Sequence, residues 1–168
     1  MEYPKRKTIR LPEFDYDAGA YFVTICTQDR RCILSDIVVG DGVLDVPQVQ
    51  LSECGEAVEQ TLEEINNTYN HITILKSVIM PNHIHLLVHV EENGTSRTPS
   101  PTNKPLPMLV STIKRFSNRK CGIQLWQRSY HEHIIRNEQD YLEIWNYIDG
   151  NPAKWAEDRY YTIQTEAI

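Results

Sequence analysis

The chain has 168 residues, a formal net charge of −6, and 40% hydrophobic and 24% charged residues. These values are typical of a soluble globular protein with one core. No apolar run approaches the roughly 20 residues that a membrane span needs, and no apolar segment follows the basic N-terminus as in a signal peptide. We therefore expect a cytoplasmic protein with one domain over residues 1–168, with a core at about 20–152, a basic N-terminal arm at 1–15 and a flexible loop at 91–105.

The first half of the chain predicts strands around one helix. A strand from about 21 to 27 is indicated by the β-branched and aromatic alternation of AYFVTICTQ. A shorter strand and a turn at 40–42 follow. Ser52 then opens a helix, because the apolar residues of LSECGEAVEQTLEEINNTY recur at helical spacing up to the Asn pair at 66–67. Two antiparallel strands are predicted by HITILKSVIM and HIHLLVHV.

The second half predicts two helices and a short strand. A basic amphipathic helix, LPMLVSTIKRFSNRKCG, ends at Gly122. The last helix begins after Asn137, a good N-cap, and ends at Gly150. The element order β, (β), α, β, β, α, β, α predicts an α+β fold. This is a ferredoxin-like antiparallel sheet of about four or five strands, with two helices on one face and an additional C-terminal helix.

Two histidines interrupt the apolar run VIMPNHIHLLVHV. His83 and His85 lie two positions apart in a predicted strand, so their side chains share a face and can reach one divalent cation. The alternative is a pair of hydrogen-bonded structural histidines, which the bare spacing favours. His89 would lie about 13 Å from His85, too far to share the cation. A second pair, His131 and His133, encloses a charged residue and is interpreted as structural or phosphate-contacting.

Several stretches together resemble the single-tyrosine HUH transposases, in particular the REP-associated tyrosine transposases and their insertion-sequence relatives. His83-Ile84-His85 matches the HUH triplet, in which U is a bulky apolar residue. The flanking MPN and LLV, the early YFVTICTQDRRCIL and the late LWQRSYHEHIIRNEQDYLEIWNYIDGNP are similar to that family's motifs. The resemblance spans about 21–152.

The resemblance implies a role for each matching residue. Tyr147 takes the position of the nucleophile, and His83 and His85 take those of the metal ligands. Asn151 matches a third, polar ligand, although Pro152 weakens helical geometry there and Asn151 is equally well interpreted as a C-cap or turn residue. The implied cofactor is a divalent metal, Mg or Mn, whereas ligand preference alone favours Zn, Mn or Co for two imidazoles.

The activity that the resemblance implies is a metal-dependent DNA transposase. It would be an endonuclease and strand transferase that cleaves and rejoins single-stranded, hairpin-forming DNA through a 5′-phosphotyrosine. A phenol has a pKa of about 10, so forming the phenolate at pH 7 costs roughly 4 kcal/mol, which a metal, base or cation has to offset in part. A catalytically inactive DNA-hairpin-binding protein and a small metal-binding hydrolase remain alternatives. Both monomers and homodimers occur among the relatives.

The charge distribution is compatible with DNA although the pI of about 5.5 argues against it. Between 104 and 136 seven basic residues stand against Glu132 alone. Screening over about 8–10 Å makes distant charges nearly irrelevant, so a local basic face can follow a phosphate backbone. The alternative, that these basic residues form a solvated helix face without a partner, agrees with the charges equally well. The candidate DNA-binding residues are Lys114, Arg115, Arg119, Lys120, Arg128 and Arg136, together with Lys5, Arg6 and Lys7 in the N-terminal arm.

Four cysteines are scattered along the chain without a CxxC pair, at Cys26, Cys32, Cys54 and Cys121. In a chain without a secretory signal this pattern is typical of reduced thiols and not of a disulfide framework. We therefore expect all four cysteines to be reduced.

Overall fold

The computed structural model describes residues 19–42, 45–91 and 105–162. The N-terminal arm with Lys5, Arg6 and Lys7 lies outside the described residues, as does 92–104 of the expected loop. The strands are β1 (Ala20–Cys26), β2 (Ser35–Val38), β3 (Gln48–Leu51), β4 (Ile72–Met80), β5 (His83–Val90) and β6 (His131–Ile134). The α-helices are α1 (Glu53–Thr68), α2 (Pro105–Cys121) and α3 (Glu138–Gly150), and short 3₁₀ turns occupy Gln28–Arg30 and Pro152–Glu157.

The main sheet has four antiparallel strands in the order β4-β5-β1-β6. With α1 between β1 and β4 and α2 between β5 and β6, this is the ferredoxin-like arrangement, so the predicted fold class is confirmed. β2 and β3 pair with each other in a separate two-stranded ribbon. The sequence pattern does not predict β3, because its four residues become a strand only through pairing with β2.

The two faces of the sheet carry different helices. Along β5, Ile84 and Leu86 pack with α1 and α2 in the larger apolar cluster, whereas Leu87 packs with α3 in the smaller one. Since side chains two positions apart in a strand share a face, His83 and His85 lie on the side of Leu87, towards α3. The alternation of β5 therefore places both imidazoles against the last helix.

The predicted helix ends agree closely with the structure. Ser52 caps α1, its Oγ accepting from the Gly55 amide at 3.1 Å, and Asn137 caps α3, its Oδ1 accepting from the Asp140 amide at 2.9 Å. Gly122 follows α2 with a φ of 76°, the left-handed conformation that glycine adopts at helix ends. Within the described ranges, none of the helices is long and apolar enough to cross a membrane.

Replacing Gly55 by alanine is expected to destabilise the fold. A Cβ at this position would lie 2.0 Å from the carbonyl oxygen of Leu34, so helix α1 would have to shift away from the strand start that its N-terminus abuts. Overpacking of this kind costs about 1–3 kcal/mol. Urea unfolding would measure the loss, with the exposed neighbour in Glu56→Ala as the control for helix propensity. A Gly55→Ala protein as stable as the wild type would contradict this close contact.

The cysteine expectation is wrong for one pair. Cys54 of α1 and Cys121 of α2 are joined by a disulfide, with their Cα atoms 5.2 Å apart, whereas Cys26 and Cys32 are free thiols. The two partners are 67 positions apart in sequence. They meet because α1 and α2 lie side by side on the same face of the sheet, which cysteine spacing does not reveal.

A candidate metal centre beside Tyr147

The rings of His83 and His85 point at one another from strand β5. Both side chains are fully buried, and their Nε2 atoms lie 3.0 Å apart. Two nitrogens bound to one cation at about 2.1 Å each lie about 3 Å apart when they subtend a right angle at the metal. The same distance also suits a hydrogen bond between two neutral rings. The arrangement therefore meets the geometric requirement for a shared cation.

Neighbouring side chains orient the two rings through their Nδ1 atoms. Asn82 donates through Nδ2 to the carbonyl oxygen of Tyr160 at 2.7 Å, so its Oδ1, 2.9 Å from Nδ1 of His83, is the acceptor there. Nδ1 of His83 consequently carries the proton, and Nε2 keeps its lone pair. Thr24 Oγ1 lies 2.8 Å from Nδ1 of His85 and can accept in the same way. Such contacts are those that orient histidine ligands in metal sites.

Burial keeps both imidazoles neutral. Desolvation lowers the pKa of His83 to about 4, with Asp158 opposing the shift and Arg159 and Arg30 adding to it. Desolvation also holds the pKa of His85 well below its usual range, helped by His83 and by Arg159. At neutral pH both rings therefore have a free lone pair, which is the form that binds a metal.

A third donor comes from a residue that the sequence analysis missed. The carboxylate of Asp158 and the ligand nitrogens of His83 and His85 all lie within 4.8 Å of one another. Asp158 follows the 3₁₀ turn after α3, and its carboxylate accepts from Asn151 Nδ2 at 3.0 Å and from the Tyr160 amide at 2.7 Å. The family motifs end at Pro152, so the only sequence signal was an acid within the aromatic stretch KWAEDRYY.

Asn151, the ligand that the resemblance implied, lies directly beside this group. It is 2% exposed, and its Oδ1 has no hydrogen-bond partner among the described residues. A buried carbonyl oxygen without a partner is unfavourable unless a cation or a donor reaches it. Two imidazole nitrogens, one carboxylate and one free amide oxygen fit a divalent cation that accepts both nitrogen and oxygen ligands.

Tyr147 is positioned by α3 at the edge of the same group. Its ring lies 5.3 Å from the ring of His85 and 5.9 Å from that of Phe22, and the residue is 43% exposed. Burial and the Asp158 carboxylate raise the pKa of Tyr147, while the Asn151 amide and the Arg159 charge lower it less strongly. The side chain is therefore partly open to solvent, and its hydroxyl is protonated at neutral pH.

A bulge in β4 fixes the register of α3. The pairing of β4 with β5 shifts between Ile74 and Lys76, which turns Lys76 towards the α3 face. The Lys76 ammonium lies 2.7 Å from Asp149 and 4.2 Å from the ring centroid of Trp145. These two residues flank Tyr147 on α3, so a single lysine holds the helix segment that carries the tyrosine.

Lys76→Met is expected to loosen α3 and to lower the free energy of unfolding by about 1 kcal/mol, mostly through the lost cation–π contact because Asp149 is largely exposed. Urea unfolding and amide hydrogen exchange along α3 would measure both effects. Lys154→Met, at an exposed lysine, is the matched control. Equal exchange rates along α3 in the two variants would contradict the inference that Lys76 holds this helix in place.

The described basic residues that were expected to contact DNA lie away from this group. Most of them belong to α2, on the sheet face opposite α3. Lys114 donates to the carbonyl oxygens of residues 127, 128 and 129 at 2.7–3.1 Å, which uses all three of its ammonium hydrogens. Lys120 pairs with Glu64 at 2.7 Å. Exposed guanidinium groups remain at Arg115, Arg119, Arg128 and Arg136.

The second histidine pair has a structural partner. His133 Nε2 lies 2.9 Å from an Asp140 carboxylate oxygen, which ties β6 to the first turn of α3. Trp126 is also structural, because its buried indole donates to Ser117 Oγ at 2.8 Å. Trp126 and Tyr130 both line a groove of about 560 Å³, together with Arg115 and Arg128. Neither histidine of this pair belongs to the group around His83.

Similar proteins occur in Haemophilus influenzae. No protein-family model matches the chain. An uncharacterized H. influenzae protein is 32% identical over an alignment of 177 positions, which covers 93% of each chain. A second protein from that species, assigned to the REP-associated tyrosine transposases, is 30% identical over an alignment of 145 positions, which covers 81% of this chain and 71% of the relative. The chain belongs to the REP-associated tyrosine transposases.

A solved structure agrees with this family in its fold. It is described as a REP-associated tyrosine transposase bound to a REP hairpin, and it superposes with a TM-score of 0.59 at 21% identity. The match covers 92% of this chain and 74% of that one. The family resemblance inferred from the HUH triplet and the late tyrosine motif is therefore confirmed, and the REP-associated tyrosine transposase fold accounts for the sheet, its helices and α3.

Proposed function

We propose that this REP-associated tyrosine transposase is a metal-dependent endonuclease and strand transferase acting on single-stranded DNA through a 5′-phosphotyrosine. One observation carries the proposal: the half-exposed Tyr147 lies in ring contact with His85, one of two buried neutral imidazoles whose Nε2 atoms converge. The DNA substrate is proposed by extension from the similar transposase that is described as bound to a REP hairpin. Single-stranded DNA that folds into an imperfect hairpin is the corresponding substrate class.

The residues of the site fit the demands of phosphoryl transfer. His83, His85 and Asp158 would hold a divalent cation, with the free Oδ1 of Asn151 as a further oxygen donor. Bound there, a cation supplies polarisation of the phosphate and stabilisation of negative charge. We propose Mg or Mn as the metal. Mn suits the mixed nitrogen and oxygen donors better, because Mg prefers oxygen ligands.

The reaction begins at the Tyr147 hydroxyl. Its oxygen loses a proton to solvent and attacks the scissile phosphorus, forming a new P–O bond while the bond to the 3′-oxygen breaks. The departing 3′-oxygen takes up a proton, so the products are a free 3′-hydroxyl and a 5′-phosphotyrosine. One phosphoester bond replaces another, so a second 3′-hydroxyl can reverse the step and join a new strand without ATP. The raised pKa of Tyr147 explains why the phenol needs nearby positive charge to ionise.

The exposed guanidinium groups of α2 and its following segment are proposed to contact the DNA backbone at a distance from Tyr147. Arg115 and Arg128 line one side of the groove near Tyr130, where an unpaired base has room to stack. Arg119 of α2 and Arg136, just before α3, are further exposed candidates, and Lys120 shares its charge with Glu64. Such contacts would add affinity that falls with salt without taking part in the chemistry.

Covalent capture tests the proposal. The protein is incubated with a pool of labelled hairpin oligonucleotides carrying randomised single-stranded flanks, in the presence of Mn²⁺ or of EDTA. A protein–DNA adduct that survives SDS and forms only with the metal is the expected result. Hairpin binding without an adduct would indicate a catalytically inactive hairpin-binding protein. If the protein neither binds the hairpins nor forms an adduct with them, DNA is excluded as the substrate.

A further inference from the structure

Two arginines flank an aromatic ring that packs on the candidate metal ligand His83. The ring of Tyr160 is 3% exposed and lies 4.6 Å from that of His83, centroid to centroid. The Arg159 guanidinium lies 4.6 Å from the Tyr160 centroid and donates to the Tyr160 hydroxyl oxygen. The Arg30 guanidinium lies 5.4 Å from the same centroid. Two positive charges therefore border the site.

Both guanidinium groups are exposed, and neither forms an ion pair with a residue that the structure describes. Among the described residues, no carboxylate lies within ion-pair distance of Arg30 or Arg159. A guanidinium has five N–H donors, and the contact of Arg159 with Tyr160 uses one of them. Two like charges beside one ring repel each other unless an anion bridges them. The free donors and the unbalanced charge suit a phosphate group, which arginine binds in a bidentate manner.

The backbone at Arg30 is held in an unfavourable conformation. Asp29 and Arg30 have φ angles of 55° and 52°, a left-handed region that side chains other than glycine rarely adopt. The Arg30 amide donates to the Thr27 carbonyl at 3.1 Å, and its own carbonyl accepts from Asn82 Nδ2 at 3.4 Å. The same Asn82 orients the ring of His83. One side chain thus fixes both the metal ligand and the arginine beside it.

We propose that Arg30 and Arg159 bind the non-bridging oxygens of the scissile phosphodiester and stabilise the charge that these oxygens gain when Tyr147 attacks. This inference rests on the proposed function and adds two residues to its catalytic group. The electrostatics agree with the geometry, because the charge of Arg159 lowers the pKa of His83, of His85 and of Tyr147, and therefore acts on all three. The reaction and its proton balance are those already given for Tyr147.

A phosphodiester probe tests the pair without requiring cleavage. In a Tyr147→Phe background loaded with Mn²⁺, the dinucleotide thymidylyl-thymidine is titrated, and phosphorus NMR measures the broadening of its resonance by the bound paramagnetic ion. Arg159→Gln removes one guanidinium. Arg30→Gly removes the other without straining the backbone, because glycine readily adopts the positive φ found there. Arg31→Gln is the charge-matched control, because the Arg31 side chain donates away from the site to the Gln124 carbonyl.

The double variant Arg30→Gly/Arg159→Gln is expected to weaken dinucleotide binding by about tenfold or more, whereas Arg31→Gln leaves it unchanged. Its Mn²⁺ affinity should be equal or higher, because two positive charges near the cation are gone. With an intact Tyr147, covalent capture should slow on the order of a hundredfold. Broadening that is absent, or equal in the double variant, would overturn the assignment. Arginine-dependent broadening in a protein that never forms an adduct would uphold the phosphate site and overturn the proposed cleavage.

Discussion

Tyr147→Phe is expected to abolish covalent attachment to DNA while leaving the fold intact. The substitution removes only the attacking oxygen, and the ring can keep its edge contacts with Phe22 and His85. Removing a nucleophile costs on the order of 10⁴-fold or more in rate. Stability should change by less than about 0.5 kcal/mol, because the residue is partly exposed. Covalent capture under SDS and urea unfolding would measure the two effects.

Tyr161→Phe provides the matched control for this experiment. Tyr161 is 41% exposed, nearly the same as Tyr147 at 43%, and packs against Trp155 beyond α3. The Tyr161→Phe variant should therefore form the adduct at the wild-type rate. Mass spectrometry of the wild-type adduct is expected to place the nucleotide on Tyr147. An adduct that persists in Tyr147→Phe, or a nucleotide on another tyrosine, would assign the nucleophile to a different part of the chain.

Local patterns were sufficient to predict most of the fold. The alternation of β5 is enough to put His83 and His85 on one face, because side-chain direction in a strand depends only on parity. The caps at Ser52 and Asn137 located the starts of α1 and α3, since a capping side chain bonds within its own turn. These signals are local in sequence, so they can be interpreted without knowledge of tertiary packing.

The rest of the site depends on docking between distant segments. Asn82 bonds the backbone of Tyr160, 78 positions away, and this contact fixes the segment that carries Asp158 and Arg159 beside His83. No periodicity or spacing connects these residues. Arg30 is likewise placed by an unfavourable backbone turn that neither propensity nor hydrophobic pattern predicts. The bulge that aims Lys76 at α3 is a third example, because simple alternation would put Lys76 on the opposite face.

Charge patterns in the sequence were the weakest guide to function. Lys114 looked like a phosphate contact, but its ammonium holds three consecutive carbonyl groups of the segment after α2. A lysine in a basic stretch can either expose its charge to solvent or donate hydrogen bonds to backbone carbonyl groups, and the sequence does not distinguish the two. Arg30 and Arg159, which flank the Tyr160 ring, lie in segments where acidic residues stand next to the basic ones, so a search for clusters of basic residues passes over them.

His85→Ala is expected to eliminate measurable Mn²⁺ binding and, with it, metal-dependent adduct formation. His85 is fully buried and offers its Nε2 next to that of His83, so its loss removes one of the two proposed nitrogen ligands and opens the site. Isothermal titration calorimetry would measure Mn²⁺ affinity. His89→Ala is the matched control, because His89 lies on the same face of β5 four positions further along and should leave Mn²⁺ binding unchanged.

A comparison of two further variants would identify the third ligand of the proposed metal site. Asp158→Asn keeps the shape of the side chain but removes its charge, and it should weaken Mn²⁺ binding by about ten- to a hundredfold if the carboxylate ligates the ion. Asn151→Ala should weaken binding less, because it removes a neutral amide oxygen and leaves the Asp158 carboxylate in place, without the 3.0 Å hydrogen bond that orients it. The reverse order would make the Asn151 oxygen the ligand and Asp158 its support. Unchanged Mn²⁺ affinity in His85→Ala would show that the paired imidazoles form a hydrogen-bonded structural unit and that the cation binds elsewhere.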